Sequence, residues 1–473
     1  MLPWSNIIGW RIRIICHTHL EMTAMTSKLT RRGFLNLAGA TAGLTALAAC
    51  VPAPSGEAAA EEEGVTVQFW IFWNQPGRIA DQIMADPSLP DYMGNNTLEF
   101  RTGVANEARL AAVAGGTPPD IGALGYYLDF MARDVVIELT DYVAASSVIK
   151  EEDFIETNWQ QTHYEGVQKG VPAIEGFVRR GFFYNARMVA EAGLDPDTPP
   201  VTWDEAMVWH EALTQFDENN NLLQIGLDPY DAEGGVGPGN DGFCISDSFG
   251  FSYFDEDTKE FNLDNEEFAE GLEVMGEFIR LIGPDNLVGM RAVEGQGTWG
   301  GSFNAEVQAC IIEGYWMSGE TFNEVPDVAE QLRVSWTPVP ERRRGVKLQQ
   351  GGGHMVQMFR DGTYKDEAWP VAEWLQSDYW CDQIFHNIGW LPSYRPYFDN
   401  APRDLFPGLD FIFNSVQEAN YWGPQIRCEI EDFVRVKYGE FREAVYRDQI
   451  SGAEAVAQMQ ELCTKEYQAA GFA

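Results

Sequence analysis

The chain has 473 residues, with 32 Lys and Arg against 72 Asp and Glu, and a formal net charge of −40 at pH 7. Such a surface repels phosphate backbones and anionic headgroups, which excludes nucleic-acid binding and electrostatic adhesion to membranes. Hydrophobic residues make up 45%, enough for a sizeable core, and fifteen tryptophans stand out, rings expected to be partly exposed in a site.

At the N-terminus, Thr30-Arg31-Arg32-Gly33-Phe34-Leu35 leads into an apolar, alanine- and glycine-rich segment from Leu35 to Ala49. It is too short to span a bilayer, which takes about 20 apolar residues. A charged region, a short apolar run and small residues before a cut site are the parts of a secretory signal. The Arg31-Arg32 pair resembles the twin-arginine class of signal. Leu47-Ala48-Ala49-Cys50 resembles a bacterial lipobox, whose cysteine is lipidated and becomes the new N-terminus. The proline, alanine, serine, glycine and glutamate that follow cannot build a core. Residues 1–49 therefore read as a signal region and 50–64 as a disordered tether. Met1 to Glu21 stands ahead of an already complete signal, so translation is expected to start at Met22 or Met25. Beyond Cys50 remain Cys244, Cys310, Cys381, Cys428 and Cys463, an odd number with no CxxC pair, so at least one is unpaired or bridges to another chain.

Val65 to Trp73 is rich in β-branched and aromatic residues and predicts a buried strand. Thr97 to Arg101 predicts a second strand, Ala105 to Val113 a helix ended by Gly115-Gly116, and Ile121 to Leu124 a third strand. This alternation predicts a parallel α/β sheet. Thr202-Trp203-Asp204-Glu205 is a capping box opening a helix through Leu213. Phe268, Leu272, Met275, Ile279 and Ile282 recur at core spacing in a helix over Asn265 to Ile282, and the Gly/Asp/Asn-rich stretch Asp228 to Asp247 reads as loop. Asp217 to Asn221 starts like a calcium loop but has Leu222 where glycine is needed, so it reads as a turn. Gly351-Gly352-Gly353 precedes a strand (Met355 to Phe359) rather than a helix, and is no phosphate loop. There is no HExxH or GxSxG, the histidines are scattered, and the carboxylates are too abundant to single out an acid–base pair. No metal or cofactor is expected.

Several stretches in order resemble one family. They are Leu110 to Ile121 (LAAVAGGTPPDI), Val135 to Val143, Gly170-Val171-Pro172 through Phe183-Tyr184-Asn185, Ala192-Gly193-Leu194 with Thr202 to Glu205, Ile311 to Trp316, and Gly389-Trp390-Leu391-Pro392. Together they resemble the family 1 extracellular solute-binding proteins of ABC importers, the maltose-binding-protein-like sugar receptors. The resemblance implies an α/β, two-lobe periplasmic-binding-protein fold (type II) whose lobes are joined by crossover hinge segments. It places lobe one at residues 65–175 plus 350–398 and lobe two at 176–349 plus 399–473. It also implies a monomer that captures a carbohydrate and delivers it to permease subunits, held outside the cytoplasm by its lipid anchor, and not an enzyme. The rivals are a surface glycoside hydrolase and a receptor of the same fold for a polyamine or peptide.

A sugar has apolar C–H faces and a girdle of hydroxyls, so its site needs aromatic platforms and hydrogen-bonding side chains. Ligands in α/β lobes lie outside the carboxyl ends of strands. That points to Trp73 and Asn74, with Trp73 either a platform or plain core. By resemblance Trp316 and Trp422 are stacking rings, each with core packing as its alternative. Trp390 stands where the family has a smaller residue, as a specificity feature or as packing. Glu175 and Phe177 are expected to face the cleft, Glu175 as a hydroxyl acceptor or as a solvated loop charge. Tyr126 and Tyr127 occupy a turn where the maltose receptors carry charged contacts, which points away from maltose.

Overall fold

The structure, a computed structural model, describes residues 64–125, 127–230, 245–291, 301–423 and 428–472. Arg31, Arg32, Cys50 and the tether before Gly64 lie outside the described residues, as do Tyr126 and Cys244.

Two five-stranded sheets organise the chain. The strands used below are β1 (Thr66–Ile71), β2 (Thr97–Arg101), β3 (Ile121–Ala123), β4 (Val171–Val178), β5 (Gly181–Asn185), β6 (Gln215–Phe216), β7 (Leu222–Leu227), β8 (Gln308–Glu313), β9 (Leu332–Ser335), β10 (Leu348–Gln349), β11 (Gly351–Met358) and β12 (Tyr421–Trp422). The helices are α1 (Asn106–Ala114), α2 (Tyr127–Ala132), α3 (Glu156–Gln160), α4 (Trp203–Leu213), α5 (Glu266–Ile282), α6 (Trp316–Glu324), α7 (Asp378–Ile388), α8 (Leu409–Glu418), α9 (Glu431–Tyr446) and α10 (Gly452–Ala469).

The first sheet runs β2-β1-β3-β11-β4. Its first three strands are parallel, as the strand–helix alternation predicts. The sheet as a whole is mixed, because β11 arrives from late in the chain and lies antiparallel to both β3 and β4. That strand begins at Gly351, four residues earlier than the sequence predicts. A Cβ on Gly353 would run into the Cα of Gly176 and the carbonyl of Glu175, so glycine alone permits this approach of β11 to β4. The second sheet runs β9-β5-β8-β7-β6.

The predicted helices form for the reasons their sequences give. Thr202 Oγ1 accepts the Glu205 N–H at 3.3 Å and opens α4, while Glu205 Oε2 accepts from Val201 N at 2.8 Å. Asn265 caps α5 through the Phe268 N–H, and Phe268, Leu272, Met275, Ile279 and Ile282 are buried along one face. Asp217 folds its turn by accepting from the N–H groups of Asn219 and Asn221. One expectation is corrected: the stretch read as loop up to Asp247 ends in helix over residues 245–249.

One core lies under the first sheet and continues into Phe183, Ile311 and Leu332 of the second. Another packs α4, α5, α9 and α10 on the opposite face of the second sheet. The chain passes from β4 to β5 through Arg179-Arg180 and returns at Gln350. There Arg180 is fully buried, its Nε donating to Asp247 Oδ2 at 3.0 Å and its Nη2 to Gln350 Oε1 at 2.6 Å. Gln349 exchanges hydrogen bonds with the Arg180 backbone, accepting its N–H at 3.1 Å and donating to its carbonyl at 2.8 Å. Among the described residues no helix is long and apolar enough to cross a membrane. Cys310, Cys381, Cys428 and Cys463 are buried and unbridged.

Candidate functional site

Aromatic and acidic side chains converge where the two sheets meet. Trp73 leaves the carboxyl end of β1 half-buried, with Asn74 exposed beside it. The Trp73 ring meets two others edge-on, His354 on β11 and Trp390 beyond α7, the latter at 5.8 Å and 75°, and lies at a 34° tilt against its neighbour Phe72. Edge-on contacts between rings are favoured by their quadrupoles and bias the orientation of the indole.

His354 is in turn fixed through both nitrogens. Tyr127, the first residue of α2, brings its hydroxyl to Nδ1 at 3.1 Å, and Nε2 lies 3.1 Å from Glu175 Oε1. Burial pushes the imidazole well below its ordinary value, and the Arg179 guanidinium adds to that. The ring is thus neutral, with Nε2–H donating to the carboxylate and Nδ1 accepting from the phenol.

Glu175 is 4% exposed within β4, so the sequence alternative of a solvated loop charge is corrected. Its Oε2 accepts from the Tyr315 hydroxyl, and its Oε1 lies 3.5 Å from Arg179 Nη2 as well as beside His354. The Tyr315 hydroxyl oxygen also lies 3.2 Å from the Leu391 carbonyl oxygen, which takes at most a share of the same proton. Burial, and then the Glu175 charge, push the Tyr315 phenol well above its ordinary value, so it remains a donor. A buried carboxylate persists when donors surround it in this way. These bonds join β4 and β11 of the first sheet to the end of β8 in the second.

Trp316 follows Tyr315 as the first residue of α6 and is 8% exposed. The Arg179 guanidinium lies over its ring at 5.3 Å, and Tyr315 meets it edge-on at 5.4 Å. Farther along α6, Glu320 Oε1 accepts the Trp390 indole N–H at 2.6 Å. Burial pushes the Glu320 carboxyl up to about 8, with the Trp390 hydrogen bond and then Arg78 opposing and Glu324 and Glu175 adding to it.

Two predicted residues stand apart from this group. Phe177 shares the β4 face of Glu175 but is core, at 2% exposure, packed on Tyr315, Phe398 and Phe413; the expectation that it faces a cleft is corrected. Two residues along the strand, the face has passed from the polar junction into packed rings. Trp422 is 41% exposed on β12, paired with Gln349 beside the Arg180 passage and outside both apolar cores. His354, Arg179, Tyr315 and Glu320 are the residues that sequence reasoning passed over. The one signal for Tyr315 was its place in the Ile311 to Trp316 stretch. Among the described residues no group of three His, Cys, Asp or Glu side chains is placed to hold a metal ion.

Two five-stranded sheets, the passages between them and a ring-lined polar junction make up the type II periplasmic-binding-protein fold. The description "Bacterial extracellular solute-binding protein" matches residues 97–378, more than half of the chain, and the protein belongs to that family. Comparison with curated proteins gives no match. Among solved structures, CpMnBP1 with mannotriose bound superposes with a TM-score of 0.71 at 19% identity, over 84% of this chain and 99% of that one. An ABC substrate-binding protein from Listeria monocytogenes in complex with cycloalternan gives 0.68 at 18%, over 86% and 99%. The sugar-binding protein MalE from Xanthomonas citri gives 0.62 at 19%, again over 86% and 99%.

Proposed function

We propose that the protein is a lipid-anchored extracytoplasmic receptor that captures a sugar or oligosaccharide between its lobes and delivers it to the permease of an ABC importer. The observation that carries this reading is the convergence of Trp73, Trp390 and Trp316 on buried polar groups at the junction of the sheets. Flat rings suit the C–H faces of pyranoses, and a junction between mobile lobes suits capture and release. Mannotriose, cycloalternan and maltose receptors among the structural neighbours support a carbohydrate over a polyamine or peptide. We assign residues 65–175 plus 350–398 to lobe one and 176–349 plus 399–473 to lobe two, although β4 carries the first sheet past that bound to Val178, before the passage at Arg179-Arg180.

Calorimetry of the purified protein against mannotriose, maltotriose and cycloalternan, with spermidine and a tetrapeptide as controls, tests the reading. Binding of a sugar that is recovered unchanged after long incubation is expected. Binding of spermidine or the peptide alone would replace the ligand class, and catalytic release of shorter sugars would replace the receptor with a hydrolase.

The anchor is tested separately at Cys50. Two acyl chains hold a protein stably at a membrane where one does so only marginally. Cys50→Ala is therefore expected to move the protein from the membrane fraction to the soluble fraction, measured by fractionation and N-terminal mass. Membrane retention of that variant overturns the lipobox.

A further inference from the structure

We infer that Glu320 is a positioning residue of the binding site: it seats the Trp390 indole from the second-sheet side and through it sets the plane of Trp73. The inference rests on the reading of Trp73 as a ligand platform, with Trp390, 3% exposed, as the ring that supports it. It assigns the acid a task within the protein rather than contact with the ligand.

The geometry is that of a tie between elements far apart in sequence. Glu320 lies on α6, which begins at Trp316, whereas Trp390 follows α7, the helix that packs beside the first sheet. Gly319 and Gly389 bring the two backbones into direct contact, since a Cβ on either would run into the Cα of the other. Gly389 also takes a left-handed conformation at φ 99°, which ends α7 and turns the chain so that Trp390 faces Glu320. At this approach the Trp390 N–H meets Glu320 Oε1 at 2.6 Å, with both residues buried. Trp390 then stands edge-on to Trp73. At the rim of the same contact Arg78 pairs with Glu324, and Asn323 Nδ2 reaches the His386 carbonyl at 3.4 Å.

One oxygen of Glu320 is engaged by Trp390, and Oε2 has no hydrogen-bond partner among the described residues and is buried from solvent. An ionised carboxylate so placed lacks the donors that Glu175 has, so the acid remains neutral below about 8. The groups that act on it are the Trp390 N–H, which lowers it, Glu324 on α6, Arg78 from the segment Gln75–Arg78 and Glu175 on β4; the titratable pair Asp382 and His386 on α7 is half-exposed. A neutral group that only receives an N–H is replaceable by an amide oxygen. A group that offers its charge to a ligand is not.

The test separates the tie from the ligand. With no ligand present, tryptophan emission of the wild type is expected to titrate near pH 8, and the transition is expected to vanish in Glu320→Gln and in Trp390→Phe. The sign for stability follows from the same proton. The folded chain holds it up to about 8 and the unfolded chain only to about 4.5, so stability falls as pH rises between those values. That slope should flatten in Glu320→Gln. With mannotriose as probe, Glu320→Ala is expected to weaken binding about tenfold or more, Glu320→Gln to restore most of it, and Glu320→Ala with Trp390→Phe to lose no more than either alone. An emission transition that survives in Glu320→Gln, a glutamine variant as weak as the alanine one, or additive losses each overturn the inference. Absence of sugar binding in the wild type with the emission transition behaving as expected overturns the carbohydrate reading and leaves the tie standing.

Discussion

Asp247→Ala is expected to destabilise the protein by about 3–5 kcal/mol. Arg180 and Asp247 are both fully buried, and their ion pair at 3.0 Å lies where the chain passes from the first sheet to the second. Removing the carboxylate leaves a guanidinium in the interior with its amide and carbonyl contacts to Gln350 and Arg179 but no neighbouring negative charge from Asp247. Loss of a buried ionic partner costs a guanidinium more than loss of a neutral hydrogen bond does. Replacing both partners with apolar residues of similar size, Arg180→Met with Asp247→Leu, is expected to recover much of the loss, because both buried charges of the pair are then removed together. The measurement is calorimetric unfolding of the single and double variants at fixed pH and salt. A loss under about 1 kcal/mol for Asp247→Ala would mean that water reaches the passage and that the pair is effectively a surface one.

The fold and the site were legible in the sequence to different depths. Thr202 and Asn265 announced helices because a cap is a local event, completed within three residues by Glu205 and Phe268. The direction of β11 was not local. It depends on a strand that returns from the second sheet, and the Gly351-Gly352-Gly353 run that permits its approach to β4 has meaning only once Gly176 is opposite. The same distinction governs the site. Trp73 was found because it ends a recognisable strand, and Trp316 because it ends a recognisable motif. Tyr127 and His354 are 227 residues apart, and Glu175 and Tyr315 are 140 apart, so their bonds left no spacing to read. Glu175 and Phe177 had the same parity on one strand and nothing local to separate a polar tie from a core ring. Phe398 and Phe413, which decide the matter for Phe177, come from distant segments.

Trp73→Ala is expected to weaken carbohydrate binding by about 2 kcal/mol or more, roughly thirtyfold, while leaving the fold nearly as stable as before. Trp73 is half-buried beside the exposed Asn74, and its plane is held by His354 and Trp390, an arrangement suited to presenting a ring face. A ring that is already partly solvated leaves little cavity when removed. Trp316 does not allow so clean a test, because at 8% exposure its truncation disturbs packing as well as any ligand contact. Phe177 supplies the opposite case. At 2% exposure among three other rings, Phe177→Ala should cost about 3–5 kcal/mol of stability, with affinity intact in the molecules that remain folded. Affinity for the sugar by calorimetry and the melting temperature of the ligand-free protein, measured on both variants, give a crossed result if Trp73 belongs to the site and Phe177 to the core. A large fall in the melting temperature for Trp73→Ala with unchanged affinity would return Trp73 to the core. The junction would then have to recognise its ligand through Trp316 and groups other than the ring at the end of β1.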